Sequence, residues 1–276
     1  MKVNFYKYQG TGNDFIIIDG RTVYPKLSQK EIEKLCNRRF GIGADGLMVI
    51  ENTPLVFDGA QPIDFYMRYF NADGNEGPMC GNGGRCIVAF AARNGRQRVC
   101  FSATDGLHQA EVMERHGEEV QICLGMNSVD QVGFYGDGQY HLNTGAPHLV
   151  IFKTGLQTLD VAKQGTFWRN HPDFAPQGTN VNFVAQEEQK TLFVRTYERG
   201  VEGETLACGT GVTAAAIAAY LRSADTQVLH ANDTHVFSVR TLGGTLHVSF
   251  QTDGERFYNI QLTGPATFVF EGSVIV

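Results

Sequence analysis

The sequence predicts an α+β fold made of a duplicated unit, with mainly antiparallel strands around one buried helix in each half. Three observations predict it. Short β-like runs bounded by Gly, Asn and Asp fill most of the chain. Two helical stretches are apolar nearly all round, so each needs a sheet wrapped about it. Finally, Cys-Gly-x-Gly stands at the mouth of both helices, at Cys80 and Cys208. Aligning these cysteines also matches Glu76 with Glu204, Gly81 with Gly209, Gly83 with Gly211 and Ala91 with Ala219, five matches in 22 positions. The domain boundary is expected near residues 115–130.

The strands follow in order. Val3 to Tyr8, Phe15 to Ile18, Leu47 to Ile50 and Ile63 to Phe70 open the chain; Gln109 to Met113, Val120 to Leu124 and His148 to Phe152 come next. Val181 to Ala185, Thr191 to Tyr197, Val236 to Thr241, Thr245 to Phe250, Phe257 to Leu262 and Thr267 to Phe270 complete the set. Turn signals such as Gly243-Gly244 imply antiparallel pairing. The first helix opens at Ser28 with Glu31 three residues on, a capping box, and is expected to stop near Gly41. Ile32, Leu35 and Cys36 share one of its faces. The second helix runs from about Asn82 to Arg93, stopped by Asn94-Gly95, and the third from about Thr210 to Leu221.

The 276 residues include 42% hydrophobic and 19% charged residues, enough for a core and unlike a disordered chain. There are 32 glycines, which signals tight turns or backbone that approaches a ligand closely. A net charge of −6 argues against a nucleic-acid partner. No run of 18 apolar residues spans a membrane, and the N-terminus lacks a signal-peptide core. The expected compartment is therefore the cytoplasm, where thiols stay reduced. Without any CxxC pair among Cys36, Cys80, Cys86, Cys100, Cys123 and Cys208, a structural zinc site is poorly supported.

A helix N-terminus presents unpaired N–H groups and partial positive charge, so it binds anions such as a carboxylate. A thiol at that spot has a lowered pKa and becomes a usable thiolate. Two such mouths facing each other would hold a carboxylate between two helix ends, with a sulfur on either face of the adjacent carbon. That arrangement suits inversion of a stereocentre, in which one thiolate removes a proton and the opposite thiol returns one. The N–H groups aimed at the carboxylate would stabilise the carbanion. Nothing here compels a pyridoxal cofactor. Cys36, Cys86, Cys100 and Cys123 read as small buried apolar residues. The turn Gly41-Ile42-Gly43-Ala44-Asp45-Gly46 matches GxGxxG in form only, because it follows a helix and opens a strand. His148 and the Glu198-Arg199 pair sit in or beside loops, where either a structural or a functional role is open.

The segments FNADGNEGPMCGNGGRC (70–86) and YERGVEGETLACGTGVTAAA (197–216) closely resemble the two signature motifs of the diaminopimelate epimerase family. KYQGTGNDFIIID (7–19), GIGADG (41–46), GAPH (145–148) and TNVNFV (179–184) are similar to that family too, in the right order along nearly the whole chain. The resemblance implies two pseudo-symmetric domains, each a mainly antiparallel β-barrel closed around a central helix. They would span residues 1–122 and 123–264, with 265–276 a final strand returning to the first half. It also implies an epimerase without cofactor or metal that interconverts LL- and meso-diaminopimelate on the lysine and peptidoglycan route. Cys80 and Cys208 match the catalytic thiols, and His148 and Glu198 match residues that set their protonation. Gly81, Asn82, Gly209 and Thr210 match the carboxylate cradle. Asn13, Asn71, Asn180 and Arg199 match substrate-binding positions, with Arg199 a partner for the distal carboxylate. The partner implied is a small amino acid, not a nucleic acid or membrane, and a homodimer stays open.

Three features depart from the family pattern. Gly46 stands where Gln is common, and Ala146 where Asn commonly precedes Pro-His, so side-chain contacts to the distal end of the substrate are expected to be missing. The loop through Glu202-Gly203-Glu204 is one residue longer than usual. Other readings are a proline or hydroxyproline racemase-like enzyme, which has His where Asn82 stands, and a phenazine-biosynthesis-like isomerase, which lacks the cysteine pair. From another class comes a redox or zinc module using Cys80, Cys86, Cys208 and His148.

Overall fold

A computed structural model describes residues 1–22, 26–52, 62–136, 138–223 and 233–276. They form two compact units, Met1–Leu124 with Gly264–Val276, and Gly125–Thr263. In the first unit, β1 (Lys2–Gly10) and β2 (Asn13–Asp19) form a hairpin, and α1 (Gln29–Cys36) leads to β3 (Gly46–Glu51), parallel to β2. Next, β4 (Phe65–Asn71) runs antiparallel to β3, and the short β5 (Glu76–Gly77) folds back on β4 and delivers the chain into α2 (Gly81–Ala91). Then β6 (Arg98–Ala103) lies parallel to β4, followed by the meander of β7 (Gly106–His116) and β8 (Glu119–Gly125).

The second unit repeats this order. After β9 (Val132–Phe134), β10 (Gln139–Asn143) and β11 (Pro147–Phe152) form the hairpin, and α3 (Val161–Arg169) leads to β12 (Asn180–Glu188), parallel to β11. β13 (Thr191–Glu198) runs antiparallel to β12, and β14 (Gly203–Thr205) folds back on it and enters α4 (Gly209–Arg222). β15 (His235–Thr241) lies parallel to β13, followed by β16 (Gly244–Thr252) and β17 (Phe257–Ile275).

In the first unit the strand that closes the ring comes from the far end of the chain. β17 leaves its pairing with β16, pairs with β8 through Gly264 to Thr267, and runs on beside β1, so the first ring closes. The chain after β8 does the same for the second unit. Met126 N–H donates to Ile260 O and Val129 bridges Phe257, after which β9 pairs with β10. Closed rings leave no sheet edge to protect.

Both central helices are buried as their all-round apolar character requires. Residues 81–90 of α2 are all buried, as are 211–220 of α4. The alanine run Ala214 to Ala216 lets β10, β11, β12, β13, β15 and β16 come close to the α4 axis. The Ser28–Glu31 capping box is present on α1. This helix ends at Cys36 rather than near Gly41, because the Asn37 carbonyl side chain takes the N–H groups of Arg39 and Phe40 and turns the chain. Among the described residues, no helix is long and apolar enough to cross a membrane.

Candidate active site

In the first unit Cys80 is the N-cap residue of α2, in extended conformation (φ −95°, ψ 131°), with no capping bond from its own side chain. The approach to it is held at three points. Arg68 grips Glu76 on β5 in a two-pronged pair, with Nε–Oε1 3.0 Å and Nη2–Oε2 2.7 Å. Thr104 Oγ1 donates to Gly77 O, and Met79 N–H donates to the Asp105 carboxylate. The buried His108 lies with Nε2 3.2 Å from the same Asp105 oxygen. Burial pushes the Asp105 carboxyl up, but the bonds from His108 and Met79 outweigh it and hold the group below its ordinary value.

Beyond the thiol lies a polar chain. Asn13 Oδ1 accepts from Asn82 Nδ2 at 3.3 Å and lies 3.8 Å from Cys80 Sγ. Asn82 Oδ1 accepts from Arg85 Nη2 at 3.0 Å; the same nitrogen donates to Thr11 Oγ1, and Nη1 donates to Gly81 O. Arg85 is wholly buried, which pulls its guanidinium down to about 10 while the nearby Cys86 and Cys80 favour its charge. It remains a cation at neutral pH. Asn13 is itself fixed by Asp45, at Nδ2–Oδ2 2.6 Å. Asp45 belongs to an ionic cluster in which Asp14 meets Lys7 at 2.7 Å and Arg38 at 2.6 Å. Burial alone would raise the Asp14 carboxyl; hydrogen bonds from Arg38 and Lys7 hold it well below the usual range. This cluster pins the Gly41–Gly46 turn, which opens no helix and runs straight into β3.

Asn71 ends β4 in exposed position, in register with Gly46 on β3. A Cβ at Gly46 would lie 2.7 Å from both Phe70 O and Tyr69 Cε2. The Tyr69 ring occupies the room where a longer side chain at position 46 would begin.

In the second unit Cys208 is the N-cap residue of α4, again extended (φ −123°, ψ 113°) and without a capping bond. Arg195 grips Glu204 in the same two-pronged way, at 2.6 and 2.7 Å, and Gly243 N–H donates to Leu206 O just before the cysteine. Cys208 Sγ lies 3.4 Å from Thr210 Oγ1, which lies 2.9 Å from His148 Nε2. On its other side His148 Nδ1 lies 3.0 Å from Asn182 Nδ2. His148 is fully buried; burial pulls its imidazole down to about 3, and His141 and Arg199 push the same way. It is neutral at physiological pH.

The remaining predicted residues of this unit cluster at the β12–β13 end. Asn180 is buried, donating Nδ2–H to Pro147 O and accepting Arg199 N–H at 2.8 Å. The exposed Arg199 side chain donates to Gln177 O, and Glu198 accepts from Thr205 Oγ1. The longer turn holds Glu202 at φ 54°, tied to Arg169 at 3.0 Å.

Each unit thus joins an N-cap thiol to first-turn N–H groups that have no acceptor within the helix, a cradle for an anion. The other cysteines are placed differently. Cys36, Cys86 and Cys100 are buried, and burial raises all three thiols, to about 12 for Cys36 and Cys86; Cys123 is half-buried on β8. Among the described residues no three His, Cys, Asp or Glu side chains gather as metal ligands do.

Sequence reasoning missed Asn182, Arg85, Asp105, His108 and the Arg68 and Arg195 clamps as parts of these surroundings. The clamps had a signal. Opening a one-residue gap for the longer turn aligns Arg68 with Arg195, alongside the Glu76–Glu204 match.

The chain matches the family model described as diaminopimelate epimerase over residues 5–128 and 140–269. It belongs to the diaminopimelate epimerase family. It is 45% identical to the diaminopimelate epimerase of Flavobacterium psychrophilum, over 99% of this chain and 100% of that one. The fold extends more widely. A phenazine biosynthesis protein of the PhzF family from Bacillus anthracis superposes with a TM-score of 0.75 at 14% identity, covering 100% of both chains. A hydroxyproline epimerase from Agrobacterium vitis does so with a TM-score of 0.69 at 15% identity, over 99% of this chain and 92% of that one.

Proposed function

We propose that this chain is a cofactor-independent epimerase that interconverts LL- and meso-diaminopimelate in the cytoplasm, on the route to lysine and peptidoglycan. The observation that carries the reading is the repeat itself: each unit presents one cysteine as N-cap of its buried central helix. Membership of the family supports the substrate.

In this mechanism one of Cys80 and Cys208 is thiolate and removes the α-proton, while the other is thiol and returns a proton to the opposite face. The roles swap with direction. The N–H groups at Gly81, Asn82, Gly209 and Thr210 hold the α-carboxylate and stabilise the charge that develops as the proton leaves. Asn13, Asn71 and Asn180 bind the substrate, and Arg199 pairs with the distal carboxylate. His148 and Glu198 set the protonation of the thiols, His148 through Thr210. With Gly46 and Ala146 in place of longer polar side chains, distal recognition rests on fewer contacts.

Proton NMR of LL-diaminopimelate in D₂O with reduced, metal-free and pyridoxal-free protein tests this directly. The α-proton signal should vanish as the meso isomer appears. No exchange there, but exchange with proline or hydroxyproline, would transfer the assignment to another substrate. A mechanism in which both thiols serve one α-carbon has its own test. A mild oxidant should join them and inactivate the protein, with full recovery in dithiothreitol; activity that survives oxidation would sink the two-faced arrangement.

A further inference from the structure

The surroundings of Cys208 contain a buried polar chain whose hydrogen-bond directions can be worked out from one backbone carbonyl. Asn182 places one terminal side-chain atom 3.3 Å from Leu149 O. A carbonyl only accepts, so that atom is the Nδ2 amide, and it is this amide that faces His148 Nδ1 at 3.0 Å. Asn182 Oδ1 in turn accepts from Thr196 Oγ1 at 3.0 Å. With Nδ1 accepting, a neutral His148 must carry its proton on Nε2, 2.9 Å from Thr210 Oγ1. Thr210 Oγ1 then accepts from the imidazole, and its own single proton has Cys208 Sγ, 3.4 Å away, as the partner within reach. Burial and the neighbouring His141 and Arg199 keep His148 from protonating and reversing the chain.

The fold does not require an amide at this position. Asn182 pairs with Val150 and Thr196 as Met48 pairs with Ile17 and Tyr69, so Met48 is its counterpart in the first unit. Both stand over the same glycine of the central helix: a Cβ at Gly83 would meet Met48 Sδ at 3.2 Å, and one at Gly211 would meet Asn182 Oδ1 at 2.4 Å. A thioether suffices for packing where no imidazole has to be aligned.

We infer that Asn182 is a positioning residue for Cys208. It locks His148 as the Nε2–H tautomer, which turns the Thr210 hydroxyl proton toward the sulfur and stabilises the Cys208 thiolate. His148 then supports the thiolate by orientation and is not its base, since the nitrogen on the cysteine side already carries a proton. This inference rests on the proposed function only for its consequence in catalysis; the thiol chemistry stands by itself.

The test reads the thiol rather than turnover. Iodoacetamide alkylation of Cys208 is followed against pH in a Cys80→Ala background, with and without Asn182→Met. Loss of one hydrogen bond to a thiolate predicts that alkylation at neutral pH slows roughly tenfold, with its pH midpoint moved upward. Cys80, measured in a Cys208→Ala background, should be untouched by Asn182→Met. An unchanged Cys208 profile, or equal changes at both thiols, overturns the inference. Nitrogen-15 NMR of the wild-type protein gives an answer even if the variant folds poorly: His148 should show the neutral Nε2–H pattern at pH 7, and an Nδ1–H tautomer or imidazolium would overturn it. Should the thiol shift appear in a protein that fails to exchange diaminopimelate, the proposed substrate falls and the role of Asn182 stands.

Discussion

The two helix mouths share a frame and differ in what lies behind the sulfur. Both cysteines are extended N-caps, both are reached through a short strand gripped by an arginine, and both helices open with glycine. Behind Cys80 stands a buried cation, Arg85, linked through Asn82 and Asn13. Behind Cys208 stands a neutral imidazole acting through Thr210. Even the substitution of parts is orderly. Asn82 and Thr210 hold equal places in the two helices, as do Arg85 and Thr213, each of which donates to the carbonyl four residues back. Duplication supplied the scaffold, and divergence supplied one thiol with charge and the other with oriented dipoles. Such a difference suits a pair in which the partners must occupy opposite protonation states at any moment.

Breaking either thiol should have the largest effect. On the proposed mechanism Cys80→Ala and Cys208→Ala each remove the base for one direction and the acid for the other, so epimerisation should fall by at least about 10³-fold. Assays started from the LL and the meso isomer in D₂O sharpen the comparison, because the two variants should fail with opposite preference between them. Equal, mild losses would end the idea of one thiol per face.

Removing the buried cation should act on one side only. Arg85→Met takes positive charge away from Cys80, which disfavours its thiolate. The alkylation midpoint of Cys80 should move up by roughly one pH unit, and the acidic limb of kcat/KM with it. Cys208 alkylation should not move. A shift at Cys208 of the same size would show that the two environments are not independent.

The arginine clamps look alike but should not cost alike. Arg68 and Glu76 are partly open to solvent, so Arg68→Met should cost about 1 kcal/mol or less. Arg195 is more deeply set and also donates to Leu156 O and Leu159 O at 2.6 and 2.9 Å. Arg195→Met leaves Glu204 and two carbonyls without that donor, for a loss of about 2–4 kcal/mol. Calorimetric unfolding of the two variants decides it, and equal shifts in Tm would contradict the ranking.

The fold class was legible because its signals are local: all-round apolar helices, a capping box at Ser28, and glycine turns such as the one joining β15 to β16. Much of what escaped had no local signal. α3 buries only Val161 and Gly165, so no apolar stripe marks it, and β10 is a five-residue strand with polar residues at alternate places. The pairing of β17 with β1 and β8 joins distant segments that no window of sequence contains, and the return of residues 265–276 to the first half was expected from the family resemblance alone. At the helix mouths the residues that touch the thiols sit in matched motifs, but Asn182 and Asp105 act across strands and turns and were invisible as a pattern. Arg85 lay in plain view within MCGNGGRC and was passed over, because a charged residue in a helix reads as solvated until the ring around it is known to close.

The last effect also concerns stability and separates the two environments by pH. Folded His148 stays neutral down to about 3, whereas in the unfolded chain it gains a proton near the ordinary value of 6.5. Below 6.5 the unfolded state therefore binds more protons than the folded one, and stability falls as pH falls, by up to about 1.4 kcal/mol per pH unit. Arg85, with its value near 10, stays charged in both states across this range and contributes no such slope. Trp168, the chain's single tryptophan, lies in α3 of the second unit, so its fluorescence follows the half that holds His148. Urea midpoints by that signal should drop between pH 7.5 and 5.5 in the wild type and drop less in His148→Gln, which has nothing to titrate. A parallel fall in both proteins would mean that the buried imidazole is not held neutral, and the contrast between a charged and an uncharged thiol environment would go with it.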